Sequence, residues 1–235
     1  MVYRRSGARH TATLTPTADE SGHYKAGVWV RDSGAGIGTM SFVDPQRGTF
    51  AGLGHSISDA DTGADLTLLS GEIVPVTITG CIRGAAGSPG ELRGEFAAAP
   101  AGTVLANDAA GVYGSYTGSC TAPALPVANL QEVTPGEAEL WTTVLGTTAQ
   151  PYTIQVERVT MTGSDPNRNL LIRVTDKRLL DATGGVVQGM SGSPIVQNGR
   201  LAAVLTHVLV NDPTRGYAIF ATTMLEKADA VASSK

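Results

Sequence analysis

The stretch Gln188-Gly189-Met190-Ser191-Gly192-Ser193-Pro194 leads directly into the strand-like run Pro194-Ile195-Val196-Gln197. A serine hydroxyl is a poor nucleophile unless the backbone presents it openly and a base takes its proton. Gly189 and Gly192 let the chain bend sharply around Ser191 without Cβ clashes. The same bend can aim the amides of Gly189 and Ser191 at one point, where a carbonyl oxygen would gain negative charge. The plain alternative is a Gly/Ser-rich turn joining two strands, and the rest of the chain decides between the two readings.

Working outward, glycine is frequent, 29 of 235 residues, and falls between β-branched runs. Gly27-Val28-Trp29-Val30, Thr39-Met40-Ser41-Phe42-Val43, Ile73-Val74-Pro75-Val76-Thr77-Ile78 and Leu170-Leu171-Ile172-Arg173-Val174 are such runs. Short strands punctuated by turn residues predict an all-β barrel or sandwich. Asp44-Pro45-Gln46-Arg47-Gly48 reads as a hairpin turn that pairs the strand ending at Val43 with one starting at Thr49. Residues 121–135 turn rich in Pro and Ala without periodicity, which predicts a linker. The chain then divides into a polar leader (1–24), a first β unit (25–120), the linker, and a second β unit with a terminal helix (136–235). Asp176 to Ala182, ahead of Gly184, predicts a short internal helix with Asp176 capping its start, and Thr222 to Ala232 a C-terminal one.

Charged residues are sparse, and 17 Lys and Arg against 21 Asp and Glu leave a net charge of −4. That balance offers no electrostatic footprint for nucleic acid or acidic lipid. No apolar run reaches the roughly 18 residues of a membrane span. Met1-Val2-Tyr3-Arg4-Arg5 has no apolar segment behind it and is not read as a signal peptide. The sequence is therefore expected to be either cytosolic or a domain cut from a longer exported chain. Cys81 and Cys120 fit no zinc spacing and are read as two buried thiols rather than a required disulfide. No cofactor or metal is expected, since no His/Asp/Glu cluster has ligand spacing.

The base for Ser191 must come from four histidines. His10 and His23 sit in the polar leader, and His207 lies on the strand after the serine turn, where a structural role is the simpler reading. His55, in Gly52-Leu53-Gly54-His55-Ser56-Ile57, ends a hairpin in the first half. A base in the first half and a serine in the second is a known chain order for the Ser-His-acid triad. The α/β-hydrolase order fails: no Asp or Glu lies between Ser191 and His207, and Ser193 stands where that elbow has its second glycine. The acid stays open among Asp59, Asp61, Asp65, Asp108 and Asp176, and a dyad without an acid also remains. Gly185, at the position of a specificity-pocket floor in such folds, carries no charge, so no tryptic preference is indicated.

Several segments together resemble the serine peptidase domain of the stage IV sporulation protein B (SpoIVB) family: Gly27–Ser33, Gly52–His55, Gly63, Ser70–Val74, Gly189–Pro194 and, most specifically, Thr206–Tyr217. The resemblance implies a chymotrypsin-like double β-barrel and a serine endopeptidase, with Ser191 as nucleophile, His55 as base and Asp176 as the triad acid. With the oxyanion hole read from the bend at Gly189 and Ser191, substrate contacts are expected on Leu205, Thr206 and His207, because in a two-barrel peptidase the strand after the serine turn pairs with the substrate backbone. The family cuts a membrane-bound regulator of an intramembrane protease between the two membranes of the developing spore, as part of sporulation signalling, and its members process themselves. The membrane anchor and PDZ domain of family members are not read in this sequence. The rival reading of the same fold is an inactive peptidase-like module that binds a peptide or protein without cutting it.

Overall fold

The computed structural model describes residues 1–5, 7–28, 34–59, 63–163 and 165–233. The predicted strand residues Trp29 and Val30, the resembling residues up to Ser33, and the candidate acid Asp61 lie outside the described residues. The chain forms two compact units, Met1–Gly36 and Ile37–Lys235. The first holds two short antiparallel hairpins, β1 (Val2–Arg5) with β2 (Ala8–Thr11) and β3 (Thr17–Ala18) with β4 (Tyr24–Lys25). Isolated two-stranded hairpins bury little and are marginal in water. Tyr3 stacked on His10 at 5.2 Å and the Lys25–Asp19 ion pair at 2.9 Å are the local ties.

The second unit starts with β5 (Met40–Asp44) and β6 (Thr49–Gly52), joined by the predicted turn. There Asp44 Oδ1 accepts from the amides of Gln46 and Arg47 at 2.9 and 3.2 Å, an Asx turn closed by Gly48 at φ 61°. The run Ile73–Ile78 is not one strand. It splits into β7 (Glu72–Ile73) and β8 (Val76–Ile82) around Pro75, which has no amide to give a ladder. Beyond Pro75, β8 and β9 (Glu91–Phe96) form a hairpin outside the first sheet. That hairpin packs on the second half through bridges Ile78↔Gly146 and Glu91↔Gln188, and its Ile78 and Leu92 join the second half's core. With β10 (Gly102–Asp108) and β11 (Gly111–Tyr116), the first sheet runs β5-β6-β11-β10-β7. It is an open half-barrel.

The second half is a closed antiparallel barrel. Its strands are β12 (Gly136–Thr142), β13 (Gln150–Val159), β14 (Leu170–Val174), β15 (Pro194–Gln197), β16 (Arg200–Val208) and β17 (Arg215–Phe220), in the order β12-β13-β14-β17-β16-β15. Ala138, Leu140 and Thr142 on β12, and Tyr152, Ile154 and Val156 on β13, alternate into the buried face, the period of a half-buried strand. α1 (Lys177–Thr183) is capped by Asp176 at its start and by left-handed Gly184 at its end, as the sequence predicted. α2 (Ala221–Ser233) closes the chain. Its Met224 and Ala228 pack with Ala51 and Tyr113 of the first sheet and Val204 and Ile219 of the barrel. That shared cluster makes the half-barrel and barrel one all-β unit. Cys81 and Cys120 are free, but half-buried and exposed rather than buried.

Candidate active site

Ser191 sits where the chain turns from the end of the α1 segment into β15. Met190 donates to the Val187 carbonyl at 3.2 Å and Ser193 to the Met190 carbonyl at 2.9 Å, which closes the turn on itself. Gly189 and Gly192 hold φ near +96 and +97°, a region that only glycine enters at low cost. A Cβ on Gly192 would run into the Thr39 carbonyl oxygen, so this glycine is required by contact as well as by angle. Among the described residues the amides of Gly189 and Ser191 donate to no protein acceptor. Ser193 is fully buried, so Ser191 is the hydroxyl that the turn presents.

His55 reaches the site through a second tight turn. Leu53 and Gly54 both take positive φ, 67 and 70°, and Gly54 donates back to the Gly52 carbonyl at 2.8 Å. A leucine in this region costs about 1–2 kcal/mol. A Cβ on Gly54 would sit 3.0–3.3 Å from the methyls of Thr206, Ile219 and Val204, which would have to give way.

One residue ties the two turns together. Thr39 donates its amide to the Ser191 carbonyl at 2.8 Å and its hydroxyl to the Gly189 carbonyl at 3.0 Å. Its own carbonyl accepts from Leu53, two residues before His55, at 3.2 Å. On the other side, Ser191 Oγ donates to the Thr206 carbonyl at 2.7 Å, while the His55 ring packs on His207, the next residue, at 4.8 Å between centroids. Ser191 and His55 are thus brought to one place by Thr39 and by the Thr206–His207 pair. The serine hydroxyl rests on a backbone carbonyl in this structure.

Asp176 lies elsewhere. Its oxygens accept from Arg178 Nη2 at 2.7 Å, from the Arg178 amide at 2.8 Å and from the Thr153 amide at 3.3 Å. Arg178 in turn lies over the Tyr152 ring. These bonds make Asp176 a helix cap and ion-pair partner, and none reaches His55. Among the described residues no carboxylate is bonded to His55. Asp108 caps its own turn at Ala110 and pairs with Lys227. Asp65 accepts from Ser56 and Ser58.

Hydrogen bonds from Arg178 hold the Asp176 carboxyl down to about 2, from an ordinary 3.8. A depressed carboxylate adds stability that is complete above the unfolded value and lost as pH falls towards the folded one. Asp176→Asn keeps a capping oxygen but loses the ion pair with Arg178, so it is expected to lower stability by up to about 1 kcal/mol at neutral pH and to flatten the loss of stability between about pH 4 and 2. Urea titrations across that range check both effects.

Of the expected substrate contacts, Leu205 is committed to the scaffold. It is fully buried, its amide donates to Ser193 and its carbonyl accepts from Gly192, so no backbone group remains for a substrate strand. Thr206 sits at a bulge between β16 and β17, with its hydroxyl bonded to the Asn167 carbonyl at 2.7 Å. Desolvation of its ring, helped by His55 and Arg168, holds His207 down to about 4, so it is neutral beside His55 at physiological pH. Gly185, the predicted pocket floor, faces the Pro213 carbonyl with no space for a Cβ. Sequence reasoning missed Thr39, which stood inside a strand run with no signal of its link to the serine turn.

Among solved structures, the chain is similar to the active form of the Rv3671c protease from M. tuberculosis, with 17% identity and a TM-score of 0.41, covering 87% of this chain and 94% of that one. It is also similar to the HtrA-type protease AlgW with a decapeptide, with 13% identity and a TM-score of 0.43, covering 84% of this chain and 62% of that one. No curated protein matches by sequence. The family match is instead extensive: residues 22–225 fit the family described as SpoIVB peptidase S55, from the leader to the second turn of α2. By that match the chain belongs to the SpoIVB peptidase S55 family and is a serine peptidase.

Proposed function

We propose that the chain is a serine endopeptidase in which Ser191 attacks the substrate carbonyl and His55 takes its proton. Supporting this reading is the Thr39 bridge, which grips the serine turn at two carbonyls and the His55 turn at one amide. The amides of Gly189 and Ser191 receive the developing oxyanion. His55 then returns the proton to the leaving amine, and water resolves the acyl-enzyme with His55 again as base. Asp176 acts as a cap rather than the acid, while Thr206 and His207 border the bound peptide.

The family resemblance carries this activity to a biological role: regulated proteolysis in sporulation signalling, outside the cytoplasm, on a membrane-bound regulator of an intramembrane protease, with self-processing. Among the described residues no helix is long and apolar enough to cross a membrane. Self-processing is tested by incubating the protein beside a Ser191→Ala control and sequencing new N-termini. Trimming within residues 1–36 of the unmutated protein alone is expected. Equal trimming in both, or none in a sample that hydrolyses a peptide, rules out self-processing.

A further inference from the structure

We propose that Asn107 is the positioning residue for His55, acting through the Ser56–Ile57 peptide group in the place where a triad carboxylate would stand. This rests on the reading of His55 as the base. Nδ1 of His55 lies 2.7 Å from the Ser56 carbonyl oxygen. A carbonyl oxygen only accepts, so Nδ1 carries the ring proton and Nε2 keeps the lone pair that a general base needs. The other end of the same peptide group, the Ile57 N–H, donates to Oδ1 of Asn107 at 2.7 Å. In a trans peptide the C=O and N–H point in opposite directions. The group is therefore gripped by His55 on one side and by Asn107 on the other.

The Asn107 amide is itself fixed. Its Nδ2 donates to the Ile57 and Leu66 carbonyls, both at 3.0 Å. A flipped amide would set its NH2 against the Ile57 N–H and its oxygen against two carbonyls, so the network permits one orientation. Asn107 projects from β10, a strand of the half-barrel, which gives the loop after His55 a rigid anchor. Asp65 closes the far side of that loop, accepting from Ser56 Oγ at 2.5 Å and Ser58 Oγ at 3.0 Å. Hydrogen bonds in a chain polarise one another, so the Asn107 bond strengthens the carbonyl that holds the ring. The peptide oxygen carries only a partial charge. It fixes tautomer and orientation, the part of the acid's role whose loss costs about 10⁴ in serine peptidases.

The test is ring ¹⁵N NMR of the full chain at neutral pH, with the His55 signal assigned by its disappearance in His55→Gln. The wild-type ring is expected to be protonated at Nδ1. In Asn107→Ala the ring becomes a mixture of tautomers, and fluorophosphonate labelling of Ser191 slows by about 10–10². Asp176→Asn leaves the His55 signal as in wild type. A wild-type ring protonated at Nε2, an Asn107→Ala protein with unchanged tautomer, or a ring shifted by Asp176→Asn would each overturn the proposal. Should Asn107→Ala fail to fold, Asn107→Ser, whose shorter side chain breaks the bond to the Ile57 amide, is read by the same ring signal and labelling rate, with the same outcomes deciding. Failure of Ser191 to label, with the Nδ1 proton in place, would strike the nucleophile and leave the Asn107 placement supported.

Discussion

Replacing Ser191 with alanine is expected to abolish peptide hydrolysis, a loss of about 10⁶ in kcat by analogy with other serine nucleophiles, with stability kept within about 1 kcal/mol of wild type. The asymmetry follows from the site. The hydroxyl makes one hydrogen bond, to the Thr206 carbonyl, and carries no packing load. The turn around it is held by backbone groups that alanine retains: the Ser191 carbonyl on Thr39 and the Gly192 amide on the Leu205 carbonyl. Steady-state hydrolysis of an unstructured protein, set beside thermal melts of both proteins, checks the two halves of this expectation. Retained hydrolysis in a folded Ser191→Ala protein would remove the nucleophile.

Gly192→Ala is expected to fail in the opposite way, through the fold first. A residue with a Cβ at φ +97° is strained by about 1–3 kcal/mol. The new methyl also lands on the Thr39 carbonyl oxygen and close to the Leu53 amide, the bond that links the two catalytic turns. Relief requires Thr39 to move, which releases the Ser191 turn and the His55 turn together. A total cost of about 3 kcal/mol or more is expected, with activity lost even at temperatures where the protein stays folded. Denaturant midpoints and labelling rates measured on the same sample separate the two effects. A variant as stable and as active as wild type would show that Thr39 is not the bridge.

What the sequence disclosed follows the range of the forces involved. Turn chemistry is local, so the Asp44–Gly48 hairpin, the Asp176 cap of α1 and the glycine-framed turn at Ser191 were all readable. The break at Pro75 was local too, but its consequence was not. The β8–β9 hairpin leaves its sheet because Ile78 and Leu92 find a larger apolar core across the molecule, and no pattern within residues 73–96 encodes that choice. Leu205 shows the same limit, since its register places both of its backbone groups on the serine turn. Asn107, just ahead of Asp108-Ala109-Ala110-Gly111, carried no signal of its own in the sequence. Its side-chain bonds run to residues 41 and 50 positions away, a relation no spacing rule contains. The bonds that Asp176 makes are those of the cap that the segment up to Gly184 suggests by itself.

The partnership of one serine with one imidazole is tested most directly by mapping the fluorophosphonate adduct by mass spectrometry in wild type and in His55→Ala. The adduct is expected on Ser191 alone, forming at least about 10³-fold more slowly without the imidazole. An adduct on another residue, or a rate indifferent to the loss of His55, would contradict the account.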